Sequence, residues 1–376
     1  MKSSPARRSP KARPLQVGLI GCGNISNAYF KGLRSYEEWI RIVACADLDP
    51  ARARAKADEH GVPTSCSMAE LLATPVDIVL NLTTPQAHAP VNLAALRAGK
   101  HVYCEKPFSL STKEGAKVMA EAKKRGLRVG CAPDTVLGAG VQTARKLIDD
   151  GAIGRPVSFV ANMLCRGHET WHPAPEFYYQ QGGGPLFDMG PYYLSSLVTC
   201  LGPIKSVTAM AATTFKTRLI TSQPKQGKKI KVETPTHLTG AVEFVGGALG
   251  TVTMSFDVHA HHLPNLEIFG TESSLSCPDP NHFGGDVCLW KPATKEWVSA
   301  PLTHNPNAGR GFGLAEMGHA ILRRRPHRVN GEIGLHVVEV IEAFHRSAAS
   351  GRKISLKTTC RQPAALPPNL ALGEVE

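Results

Sequence analysis

No apolar run in this 376-residue chain approaches the roughly 18–20 residues that a membrane-spanning helix needs. The ten cysteines form no C-x-x-C pair and no regular spacing, which excludes a zinc-finger array and a disulfide scaffold. Aromatic residues are sparse, at 6%, and none interleaves with the short basic clusters at 225–231 and 323–325. Despite a formal net charge of +12, those clusters therefore read as solvated surface and not as a nucleic-acid face. The first 14 residues are basic, contain three prolines and lack the apolar core of a secretory signal, so a disordered tail is expected there. What is left is a globular chain long enough for two domains. Cys45, Cys104 and Cys200 lie in apolar contexts and read as buried, reduced thiols of a cytoplasmic protein.

The chain is organised around residues 17–26, Val-Gly-Leu-Ile-Gly-Cys-Gly-Asn-Ile-Ser. A strand over 15–20 runs into a turn at Gly21 and Gly23, and a helix starts at Asn24. Gly21 permits the tight turn, Gly23 lets a pyrophosphate approach the backbone, and the free N–H groups of the helix start face phosphate charge. Ser26 stands where a third glycine is usual. Further strands are expected at 41–46, 76–82, 100–104 and 127–132, and helices at 50–60, 87–98 and 112–125. That alternation predicts an α/β fold, a doubly wound parallel sheet over 15–135. From 136 to 355 the pattern predicts an α+β domain with a large, mainly antiparallel open sheet, using strands at 156–165, 204–214, 236–244, 248–258 and 266–270. Helices are expected at 140–150, 192–201, 312–323 and 333–350, a hairpin or flap at 216–233, and a C-terminal tail at 356–376.

Three further stretches carry chemistry. Asp47 ends the second strand, where a carboxylate can accept hydrogen bonds from an adenosine ribose and repel a 2′-phosphate. NAD is favoured over NADP on that ground, although Leu48 leaves room for either; the plainer role for Asp47 is to cap the helix from Pro50. Glu105-Lys106-Pro107 follows a strand at the end of the sheet where ligands sit, and a lysine there can stabilise an alkoxide. Alone, it could equally be a surface lysine. In Gly182-Gly-Gly-Pro-Leu-Phe-Asp188 and Tyr192, the aspartate and tyrosine lie four apart at the mouth of a helix; an N-cap and a core aromatic are the plainer alternatives. Ahead of them, Trp171 suits stacking on a sugar ring, and His172 is a reserve acid–base residue. His168 and His172, with Glu169, invite a metal reading, but Pro173 ends any helix there, and no metal is assigned. His88 and His336 read as packing residues, and His259, His261 and His262 as a loop beside the cleft or in solvent.

The ordered set Gly21, Gly23, Ile25; Asp47; Thr84-Pro85 with His88; Glu105-Lys106-Pro107; and Gly183-Gly184 with Asp188 resembles the Gfo/Idh/MocA family over about residues 15–355. The late His336 and the C-terminal sheet fit the same family. The resemblance implies a Rossmann domain followed by an α/β domain whose open sheet forms the dimer face, giving a homodimer or homotetramer. It places the cofactor against Gly21, Gly23, Asn24, Ile25, Asp47, Thr83, Thr84, Pro85, His88, Glu105 and Lys106. It makes Lys106 and Asp188 catalytic and puts Tyr192 where the family usually has histidine. A tyrosine titrates about three and a half units above a histidine, so it needs a cation such as Lys106 to act as a base. The expected activity is NAD(P)-dependent hydride transfer between the nicotinamide and a secondary hydroxyl of a sugar, glycoside or cyclic polyol. Lys106, Trp171, His172, Asp188 and Tyr192 would contact that substrate. The alternatives are an NAD-retaining lyase or glycosidase that oxidises transiently, and a non-catalytic dinucleotide-binding regulator.

Overall fold

The computed structural model describes residues 13–376, so nearly all of the basic N-terminal tail lies outside the described residues. The first half is β1 (Leu15–Ile20), α1 (Asn24–Leu33), β2 (Ile40–Ala46), α2 (Pro50–His60), β3 (Thr64–Cys66), α3 (Met68–Ala73), β4 (Ile78–Asn81), α4 (Pro85–Arg97), β5 (His101–Cys104), α5 (Thr112–Arg125) and β6 (Val129–Cys131). The sheet order is β3-β2-β1-β4-β5-β6, and every pairing is parallel. Strands β4 and β6 are buried at every position, as strands covered on both faces must be. The order reverses between β1 and β4, which opens a crevice beyond their carboxyl ends.

Helices α2 and α5 begin and end where the sequence predicts, because their stops are unambiguous. Asp49 accepts the Ala51 and Arg52 N–H groups at the start of α2, and Ser111 accepts the Glu114 N–H at the start of α5. Strand β3 and helix α3 were not expected. The strand is three residues long and only partly buried, so it carries no apolar signature of its own.

The second half comprises α6 (Ala139–Asp149), β7 (Pro156–Leu164), α7 (Gly184–Asp188), α8 (Gly190–Leu201), β8 (Ile204–Ala212), β9 (Thr217–Leu219), β10 (Lys229–Lys231), β11 (His237–Phe244), β12 (Leu249–Ser255), β13 (Leu266–Gly270), β14 (Ser274–Cys277), β15 (Val287–Lys291), β16 (Glu296–Ala300), α9 (Phe312–Leu322), α10 (Gly331–Ser350) and β17 (Ile354–Ser355). A nine-stranded sheet runs β16-β15-β14-β13-β7-β12-β11-β8-β17. It is antiparallel except for the β7–β12 pair. Strands β14 to β16 also went unread; β16 has no buried residue, so the alternation that marks a half-buried strand is missing there. The expected flap at 216–233 is the β9–β10 hairpin. It is pinned by the buried Arg218, which pairs with Glu169 at 3.4 Å and with Asp257 at 2.8 Å.

Helix α10 packs on β8 and also reaches α5 and β6, while α9 packs on β6 and α1, so the two halves share these closing helices. Residues 356–376 contain no regular element, yet Cys360, Leu366 and Val375 are buried. The Leu366 N–H donates to Gln142 Oε1 at 2.8 Å. All ten cysteines are free thiols, and Cys45, Cys104 and Cys200 are buried.

Candidate active site

The glycine corner is built as a phosphate cradle. Gly21 has φ +101°, and a Cβ there would stand 2.6 Å from the Leu82 carbonyl carbon, so only glycine lets β1 turn beside β4. Among the described residues, a Cβ on Gly23 would meet nothing within 4 Å, so the space above it is open. Among the described residues the α1 start has no side-chain cap, which leaves its N–H groups free to meet an anion. Ser26 is compatible with this turn because its hydroxyl is buried and donates to the Gly23 carbonyl at 2.6 Å. Asp47 accepts the Cys22 N–H at 2.7 Å and the Asp49 N–H at 3.0 Å, so it holds the corner as well as standing at the end of β2. These residues fit a dinucleotide.

The cleft next to this corner has a volume of about 280 Å³ and is lined by Ile25, Thr83, Pro85, Glu105 and Lys106 from the first half. Phe177, Tyr178, Asp188 and Tyr192 line it from the second. Thr83 is fixed by Asn81, whose Oδ1 accepts both its hydroxyl at 2.7 Å and its N–H at 3.2 Å. Glu105 is tied down at both oxygens, by the Tyr29 hydroxyl at 2.8 Å and by the Lys106 N–H at 2.8 Å. The side chain of Lys106 is thereby aimed across the crevice.

Lys106 Nζ donates to Asp188 Oδ1 at 2.9 Å and to the Asp188 carbonyl at 2.8 Å, and lies 5.0 Å from the centre of the Tyr192 ring. That carbonyl is available because α7 ends at Asp188 and α8 restarts at Gly190. Burial works against the ammonium, but the Asp188 carboxylate, then Tyr192 and Glu105, outweigh it and raise the pKa of Lys106. Burial likewise opposes the Asp188 carboxylate, yet Lys106 and His168 hold it well below the usual carboxylate range. Tyr192 goes the other way: burial raises its pKa, and Lys106 and Arg310 offset that only in part. The cleft therefore holds an ammonium, a carboxylate and a neutral phenol at neutral pH.

Lys106, Asp188 and Tyr192 are thus brought together as expected, but the histidine that joins them is His168 and not His172. His168 Nε2 lies 2.8 Å from Asp188 Oδ2, and Nδ1 accepts the Trp171 indole N–H at 3.2 Å. With the indole a donor only, Nδ1 is the acceptor and Nε2–H donates to the carboxylate. His172 Nδ1 instead accepts the Ala174 N–H at 3.0 Å, and its ring packs against Trp171, Phe177 and Tyr178. The segment folds as a short 3₁₀ turn, His168–Thr170, in keeping with the absence of a helix that Pro173 implies. Trp171 is 60% exposed and does not line the cleft. Both nitrogens of His168 are engaged, and among the described residues no three His, Cys, Asp or Glu side chains are placed to hold a metal.

Asn24 and Thr84 are the first residue of α1 and the N-cap of α4. His88 is buried between two loops, its ring nitrogens 2.6 Å from the Pro107 carbonyl and 3.0 Å from the Thr83 carbonyl. His336 is a satisfied core histidine, accepting the Ile204 N–H at 3.0 Å and facing the Thr358 hydroxyl at 3.0 Å; burial lowers its pKa to about 4. One site residue escaped the sequence entirely. Arg310 Nη2 donates to the Tyr192 hydroxyl oxygen at 3.2 Å, and its Nη1 lies 3.5 Å from the buried Asp134.

A dinucleotide corner facing a lysine–aspartate pair defines an NAD-binding oxidoreductase. Residues 15–132 match the model of the oxidoreductase family with an NAD-binding Rossmann fold, and residues 141–276 match the GFO/IDH/MocA C-terminal domain. The chain belongs to the Gfo/Idh/MocA family. It is 26% identical to D-glucoside 3-dehydrogenase of Escherichia coli, over 91% of this chain and 98% of the relative. It is 27% identical to levoglucosan dehydrogenase of Pseudarthrobacter phenanthrenivorans, over 69% of this chain and 73% of the relative. Among solved structures, an NAD-binding oxidoreductase from Klebsiella pneumoniae superposes with a TM-score of 0.80 at 25% identity, covering 92% of this chain and 99% of that one. The fold is also that of a levoglucosan dehydrogenase solved with NADH and levoglucosan, with a TM-score of 0.78 at 22% identity over 91% of this chain and 99% of that one.

Proposed function

We propose that the protein oxidises a secondary hydroxyl of a sugar, glycoside or cyclic polyol, and reduces the corresponding ketone in reverse, with Lys106, Asp188 and Tyr192 as the groups that meet the substrate. The observation that carries this reading is the 2.9 Å contact of Lys106 with Asp188 beside the Tyr192 ring, at the mouth of the glycine corner. When bound, NAD supplies the hydride acceptor at its nicotinamide and NADH the donor. Lys106, kept charged by Asp188, stabilises negative charge on the substrate oxygen. Asp188 keeps Lys106 in place and accepts a neighbouring substrate hydroxyl, while His168 orients the carboxylate. Tyr192 carries the proton. As a neutral phenol it is ready to donate to a carbonyl oxygen; for oxidation it must first ionise, and Arg310 at 3.2 Å from its oxygen favours that step. The Asp47 carboxylate favours NAD over the 2′-phosphorylated dinucleotide.

The test is to add NAD and a panel of glycosides, free sugars and inositols to the purified protein and follow NADH absorbance. Steady NADH formation with at least one sugar or polyol is expected. Release of an aglycone with no net NADH would replace this reading with transient oxidation. The same reading includes self-association through the open face of the nine-stranded sheet, where Met210 and Leu249 are exposed; light scattering should give a dimer or tetramer. The free thiols suit a reducing compartment, and fractionation of cells should find the protein in the cytoplasm.

A further inference from the structure

A second cavity, of about 580 Å³, adjoins the cleft and shares Gly182 and Phe187 with it. The partition between the two is thin for a steric reason. A Cβ on Gly183 would stand 2.5 Å from the Phe177 carbonyl oxygen, and one on Gly182 would meet Leu110 at 3.1 Å, so no side chain can rise from this ridge. The far wall is the last part of α10, with Glu342, His345 and Arg346, and the near rim is the end of the flap at Glu233.

The polar inventory of this cavity is mixed and partly unused. Among the described residues His345 Nε2 is buried without a hydrogen-bond partner, and its ring stacks on Phe187 with centroids 5.9 Å apart. One oxygen of Glu342 takes the Thr112 hydroxyl. Glu233 is reached by Lys231 at 2.9 Å, and among the described residues Arg346 makes no ion pair. Glu233 and Glu342 face one cation, Arg346, and burial lowers the pKa of His345 and keeps it neutral, so the cavity has no net positive charge, which a phosphate would require. An apolar tail would cover the second oxygen of Glu342 and the Arg346 guanidinium without giving either a partner. A ring that carries hydroxyls, each both donor and acceptor, satisfies all of them, and Phe187 gives it an apolar face.

We propose that this cavity is the subsite for a second pyranose ring, so that a disaccharide or longer glycoside crosses the glycine ridge with its reacting ring beside Lys106. This rests on the sugar reading above and adds the size of the substrate. The 280 Å³ cleft lies at the low end of ligand pockets, which run from about 300 Å³ upward, and a single ring leaves the larger neighbour unused.

The experiment is calorimetric titration of the NAD-loaded protein with methyl glucosides and with cellobiose and maltose, on the native chain and on Arg346→Ala and His345→Ala, with NADH formation followed in parallel. At least one disaccharide should bind about tenfold or more tighter than the matching methyl glucoside. Both substitutions should erase that preference and leave methyl glucoside binding unchanged. Arg346 is exposed, so its variant keeps the fold even if loss of His345 does not. Equal affinity for one ring and two, or a preference that survives Arg346→Ala and a folded His345→Ala, overturns the subsite. NADH formation judges the dehydrogenase reading separately, since the preference is read from binding and not from turnover.

Discussion

Lys106 and Asp188 are 82 residues apart and reach the same cleft by different means. Lys106 stands at the end of β5, where a parallel sheet delivers it, and Glu105 is held at both oxygens to aim it. Asp188 stands at a break between two helices, and its place depends on a 3₁₀ turn that brings His168 and on a flap clamped by Arg218. The Rossmann half makes its contribution through local geometry repeated strand after strand. The second half makes its contribution through contacts between segments distant in sequence. The difference teaches that damage in the first half should mostly affect cofactor or charge, and damage in the second should affect the alignment of the proton carrier.

The largest effect expected is from Lys106→Ala. Turnover should fall about 10³-fold, the range for loss of a group that stabilises developing oxyanion charge, while the NAD dissociation constant changes little; steady-state rates and calorimetry check both. Full activity in that variant would break the comparison outright. Next is Tyr192→Phe, expected to slow both directions about 10²-fold. The pH profile sharpens this. Because burial raises the Tyr192 pKa above its ordinary value near 10, the native protein's oxidation rate should climb with pH through the alkaline range. Reduction, which uses the phenol, should stay level near neutrality and fall only as the phenol ionises. The phenylalanine variant should lose the climb. A native profile with no alkaline climb would take the proton transfer away from Tyr192.

Two glycines within the first half make a finer contrast. Gly23→Ala should leave thermal stability nearly unchanged, because its Cβ meets no protein atom, yet weaken NAD about tenfold by occupying the space a pyrophosphate needs. Gly21→Ala should lower stability by about 1–3 kcal/mol, from strain at φ +101°, measurable by denaturant unfolding. The smallest effect is expected from Asp47→Asn. It keeps an acceptor for the Cys22 N–H but loses the charge, so NAD should weaken about threefold to tenfold, the worth of one hydrogen bond, and discrimination against NADP should narrow.

Much of the first half was legible because each signal is local. Strand, glycine turn and helix follow one another within 17–26, and caps one residue outside α2 and α5 mark their ends. The three-residue β3 and the unburied β16 were illegible because a strand without a buried face has no apolar period. In the site, Lys106, Asp188 and Tyr192 could be named from short motifs. That His168 and not His172 meets Asp188 could not be read from the chain, because the contact depends on how a short 3₁₀ turn at 168–170 packs against the end of α7. Arg310 lies 118 positions from Tyr192, and nothing near it in the chain marks it.

What the amino-acid order determined by itself is the sheet that binds the dinucleotide, because it depends on dihedral preferences and burial patterns that operate over a few residues; the lysine, the aspartate and the tyrosine were singled out by the resemblance of their short motifs to the family. Only the tertiary structure decided which histidine meets the carboxylate, which arginine meets the phenol and in which direction burial moves each proton. Those outcomes depend on distances between atoms that no stretch of chain shares, and on how much water the assembled walls exclude.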